Sequence, residues 1–250
     1  MQTASDHAAR RSAMTVESIL WVGVIALTGI IVINSLPYFN GRLEHAFLIE
    51  KGTLALQPAY RTAFILHVAG AILCLSVGPL LFSRKLLRSQ PRAHRYLGRM
   101  YALMVLVWAA PSGAYLAVFA KGGIWGQSNF MLLAIMWWIA TFFGVRRAMR
   151  REIASHRRWM RRSYALATTA ITFRLMHLIL YFAAVPDHAN YIASLWSTFA
   201  LTIVLVEIVN HRDGARRSVL IRSNDGRHPN PRSRSERTLL RDGTPWSSTV

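Results

Sequence analysis

Residues 61–82 read RTAFILHVAGAILCLSVGPLLF, and residues 83–99 that follow read SRKLLRSQPRAHRYLGR. The first stretch has no charge after Arg61. It is long enough to cross the roughly 30 Å hydrocarbon core of a bilayer as a helix rising about 1.5 Å per residue. The second stretch carries Arg84, Lys85, Arg88, Arg92, Arg95 and Arg99 and no acidic residue. An apolar run closed by a basic link is the repeating unit of a polytopic helical membrane protein.

The unit recurs along the chain. Apolar blocks lie at about 19–37, 61–82, 99–120, 129–145, 160–184 and 191–209. They are continuously apolar rather than alternating, which argues for helices and against the strands of a barrel. The spacing predicts an all-α fold, six transmembrane helices in a bundle over residues 17–210. Residues 1–16 read as a disordered lead-in and 211–250 as a disordered basic tail. The first block follows Arg10 and Arg11 as a signal peptide would. It is longer than a typical signal core, and Asn34-Ser35-Leu36-Pro37 makes a poor cleavage site, so it reads as a retained span.

The chain has 250 residues, 53% of them apolar and 16% charged, with a formal charge of +19. A soluble domain carries about 25% charged residues. The basic residues are segregated into links between spans, which accounts for the charge without nucleic acid as a partner. Of the 30 Lys and Arg, 25 fall on the side of the termini, 4 on the other side, and Arg174 inside a span. The positive-inside rule then predicts cytoplasmic termini and a multi-pass protein of the cell membrane, its arginines against anionic lipid headgroups. Cys74 is the single cysteine, which excludes an internal disulfide and a cysteine-based zinc site. The long outer loop, about 38–60, has room for a short helix around Leu43–Ile49. Pro111-Ser112-Gly113 predicts a bend in the third span, freeing the carbonyl of Val107.

A quasi-repeat links two hairpins. His94-Arg95 precedes Arg99 and Tyr101-Ala102-Leu103, and His156-Arg157 precedes Arg161 and Tyr164-Ala165-Leu166. With His67-x-x-Gly70, Gly78-Pro79-x-x-Phe82 and Trp159-Met160-x-Arg162-Ser163-Tyr164, these elements resemble the predicted membrane protein family known as domain of unknown function 2306. The resemblance covers roughly residues 60–180 and implies a multi-span membrane protein without supplying an activity. The family often has Gln where this chain has Leu81, so any role for that amide is absent here.

Three polar groups lie deep in spans. His67 is about 9 Å below the outer end of span two and His177 about 10 Å below that of span five. Arg174 precedes His177 by one turn. Two imidazoles at one depth are what a b-type haem iron takes as axial ligands, and Arg174 would neutralise a propionate. The same residues also fit structural hydrogen bonds between helices, or a quinone, proton or substrate pathway in a redox protein or transporter. At the basic ends, His94, Arg95, Arg99, His156, Arg157 and Arg162 are expected to line one anion-attracting face for lipid headgroups, a phosphate-bearing ligand or a second haem. His156 and His177 are about 31 Å apart on one helix and cannot share a site. The chain has no HExxH, no nucleotide-binding glycine loop and no convincing Ser/His/Asp set, which leaves its standing as an enzyme open.

Overall fold

The structure is a computed structural model that describes residues 19, 21–40, 42 and 46–225. The lead-in 1–16 and residues 226–250 of the tail lie outside the described residues. Regular structure among the described residues is entirely helical. Among the described residues six helices are long and apolar enough to cross a membrane: Trp21–Asn40, Pro58–Phe82, Pro91–Ala117, Gly123–Met149, Ile153–Phe182 and Asp187–Ala215. They are the six expected spans, and contact with a lipid bilayer follows from them.

The helices overrun most of the apolar blocks that announced them. Pro58 and Pro91 occupy first-turn positions, where the missing N–H costs nothing. Arg, Ala, Leu and Met then carry helices past the apolar core, because they are good helix formers and long basic side chains reach water. The last helix runs from Asp187 to Asp225. The tail expected to be disordered from residue 211 therefore begins as helix. Ala215, Arg216, Arg217 and Leu220 favour one, and no proline occurs there before Pro229.

The chain divides into two compact units, Met1–Val206 and Glu207–Val250. The second unit, where described, is the continuation of the last helix. In the first unit the second to fifth spans form a ring. Each packs on its neighbour in sequence, and the fifth closes onto the second. Short links make neighbours antiparallel, so the third and fifth spans stand diagonally across the ring. Its core includes Cys74, Leu75, Tyr101, Val105, Trp137, Tyr164 and Ile171. The first span lies against it through Trp21, whose ring is 6.2 Å from that of Phe82 and 6.4 Å from that of Tyr164. In the outer loop a helix, Ala46–Lys51, overlaps the expected Leu43–Ile49, whose first three residues lie outside the described residues, and a 3-10 turn Gly52–Leu56 follows. Lys51 Nζ donates to the carbonyl of Phe119 at 2.8 Å, and Lys121 pairs with Glu50 at 3.5 Å. These contacts tie the loop to the link between the third and fourth spans.

The third span is widened rather than broken. Met104–Ala109 is a π-helical segment between two α-helical ones, Pro91–Leu103 and Ala110–Ala117. Pro111 has no N–H to close the preceding turn, and a wide turn lets other groups take up the carbonyls. Trp138 Nε1 of the fourth span donates to Leu106 at 3.1 Å, and the Ser112 hydroxyl donates to Trp108.

Candidate functional site

His67 faces this widened turn. Its Nδ1–H donates to the carbonyl of Ala109 at 2.8 Å. Gly113 makes room for the ring: a Cβ there would lie 2.8 Å from His67 Cε1. With Nδ1 committed as a donor, the lone pair of the neutral ring resides on Nε2. His67 thus has a structural task, holding the second span to the third, and keeps a basic nitrogen beyond it.

His177 has different neighbours. Its ring stacks with Phe173 at 5.8 Å, and its backbone carbonyl accepts from Asn190 Nδ2 of the sixth span at 3.2 Å. Asn190 is fully buried and is in turn bonded by Ser194 at 2.9 Å. Nδ1 of His177 is buried without a hydrogen-bond partner. The second and fifth spans pack together, yet the His67 imidazole bonds to the third span and the His177 imidazole stacks on Phe173 of its own helix. Arg174 is exposed and donates to the carbonyl of Ala170, one turn back on its own helix. The expectation that it stands with the imidazoles inside the bundle gives way to a guanidinium bonded to a helix carbonyl on the outside.

At the arginine-rich end, His94 and His156 are brought together. His156 lies close enough for its charge to act on His94, and Arg95 does so as well. His156 Nδ1–H donates to the carbonyl of Gly144 at 2.8 Å, at the end of the fourth span. His94 Nδ1 is a second buried nitrogen without a hydrogen-bond partner. Arg95, Arg99 and Arg157 are exposed, and the Arg162 guanidinium lies 4.6 Å over the Trp159 ring.

Above the histidine pair lies a cluster that sequence reading missed. Tyr101 Oη and Ser163 Oγ are 2.9 Å apart, Ser163 Oγ and Thr141 Oγ1 are 2.7 Å apart, and Thr141 donates to the Trp137 carbonyl at 2.8 Å. All three hydroxyl residues are buried. Tyr101 and Ser163 each stand ten residues into their helices, about 15 Å from the start. A signal for two of the members was present: His94 and Tyr101 are seven residues apart, and so are His156 and Ser163. Nothing in the sequence singles out Thr141. Among the described residues no three of His, Cys, Asp or Glu gather as they would around a metal ion.

A scan of family models matches residues 64–210 to the predicted membrane protein family DUF2306. No curated protein and no solved structure matches the chain. The match spans more than half the chain and runs from within the second span to within the sixth, taking in His67, His94, His156, Arg174 and His177, so the chain belongs to that family of predicted membrane proteins.

Proposed function

We propose that the protein is a membrane-embedded electron carrier with a b-type haem, held by His67 and His177 and exchanging electrons with a quinone or a redox protein. The observation that carries this reading is the state of His67. Its Nδ1–H is fixed on the Ala109 carbonyl, which orients the ring and leaves Nε2 as a donor atom. Metal-bound histidines are oriented by just such a bond to a carbonyl. His177 sits on the fifth span, which packs on the second, at a comparable depth from the same face. When bound, a haem would supply one-electron iron chemistry, and the imidazoles of His67 and His177 would hold it in a water-poor interior. The cell membrane, with the arginine-rich ends on the cytoplasmic side, is the setting that the charge distribution favours.

A second reading is a transporter or small-molecule-binding bundle. It is favoured by the buried unpartnered nitrogens of His94 and His177, which a polar ligand would satisfy. The visible spectrum of full-length protein purified from haem-replete membranes decides between them. A Soret band and an α band that sharpens on reduction are expected, both lost or altered in His177→Ala and in His67→Asn, whose amide keeps a donor toward Ala109. Protein with no Soret band, folded and stable, would overturn the haem reading in favour of the second.

A further inference from the structure

The seven-residue spacings have a geometric result at the arginine-rich end. Residues seven apart on a helix lie two turns, about 10 Å, from one another on the same face. The bond between Tyr101 and Ser163 shows that these faces of the third and fifth spans look at each other across the ring. His94 and His156 therefore face the same interior, two turns nearer the helix starts, with the hydroxyl cluster as its floor. We propose that His94 and His156 are the axial ligands of a haem at this end of the bundle, with arginines of the two helix starts as partners for its propionates.

The chemistry of the donors selects the ligand. His156 Nδ1–H is held by the Gly144 carbonyl, so its free electron pair is on Nε2. His94 carries a buried nitrogen without a partner. His156 and Arg95 both lie close enough to His94 for their charges to be felt there. A bare divalent ion wants three or four protein ligands, and no third His, Cys, Asp or Glu joins the pair among the described residues. A haem needs only two, since the porphyrin supplies four nitrogens. Its two carboxylates match the positive surroundings, where Arg95, Arg99, Arg157 and Arg162 cluster in sequence and Glu152 is already paired with Arg147. An anionic headgroup or phosphate would use the arginines. It would want N–H donors, and the Nδ1–H of His156 is already taken by the Gly144 carbonyl.

The inference rests on the haem reading of the bundle, and the test separates the two sites. Full-length protein is expressed in haem-replete cells, purified in detergent, and assayed for haem per chain by the pyridine haemochrome spectrum, with ferric low-spin signals read by electron paramagnetic resonance. Two haems per chain are expected. His94→Ala and His156→Asn, the latter keeping a donor toward Gly144, should each lower the content to one. His67→Asn with His177→Ala should remove the other and leave the His94–His156 signal. His94→Met, which supplies a thioether ligand, should restore haem with an altered low-spin spectrum, a rescue that a purely structural histidine would not give. Unchanged haem content and low-spin signals in folded His94→Ala and His156→Asn proteins would overturn this site and leave the outer one standing. A parent protein with no haem would overturn both.

Discussion

At the scale of single residues, His67 and Gly113 form one unit. The imidazole fills the space that a Cβ at position 113 would occupy, and its bond to Ala109 keeps it from moving aside. Gly113→Ala is expected to destabilise the protein by about 1–3 kcal/mol through overpacking. Replacing His67 by Ala as well should recover much of that loss, because the clash disappears with the ring. Thermal unfolding in detergent of the two single variants and the double variant gives the coupling directly. Additive effects would show that the ring and the glycine do not meet. The hydroxyl cluster gives a second prediction at this scale. Ser163 is its centre, bonded to both Tyr101 and Thr141. Ser163→Ala should cost about 1–3 kcal/mol, since it deprives two buried hydroxyls of a partner. Thr141→Val should cost less, because the Tyr101–Ser163 bond survives it. The order of the two melting temperatures checks the argument.

At the scale of elements, packing depends on glycines that let helices approach, as is usual where lipid gives no hydrophobic drive to association. A Cβ on Gly78 would lie 1.9 Å from the Tyr164 ring. That ring cannot yield easily, since its hydroxyl donates to the Leu75 carbonyl at 3.2 Å and Phe82 lies 5.5 Å away. Gly78→Ala is therefore expected to part the second and fifth spans and lower the yield of folded protein, and Tyr164→Leu in the same chain to restore part of it. Size-exclusion profiles of the three proteins measure this. The quoted Gly78-Pro79 motif was legible as a motif, but its partner was not, because the contact joins residues far apart in the chain. An irregularity in the third span was legible from Pro111. Its form was not: a π-turn depends on groups such as His67 and Trp138 that take up the freed carbonyls from other helices. Helix ends were misjudged for a simple reason. Hydropathy marks where the apolar core stops, whereas backbone hydrogen bonding continues through arginines.

At the scale of the molecule, the six spans were legible because a bilayer leaves the backbone no alternative to a helix over about twenty apolar residues. The arrangement of the polar groups was only half legible. Depth along a span follows from counting residues, which puts His94 and His156 near the starts of their helices at one end of the bundle. The face a side chain presents depends on helix rotation, which sent the His67 ring to the third span and left the His177 ring stacked on Phe173 of its own helix. Charge distribution makes the last prediction. Of 30 basic residues, 25 belong to the side of the termini. Lys and Arg near spans resist translocation, so the links containing Arg84–Ser89 and Arg151 are expected in the cytoplasm, and Gln57 and His188 outside. The chain suits a cysteine test, since Cys74 is its single cysteine and is fully buried. Cysteines introduced one at a time at Ser89, Arg151, Gln57 and His188 are probed in intact cells with a membrane-impermeant maleimide. Gln57→Cys and His188→Cys should label at once, and Ser89→Cys and Arg151→Cys only after the membrane is opened. The reverse pattern would place the histidine pair and its arginines outside the cell, where the positive-inside argument does not allow them.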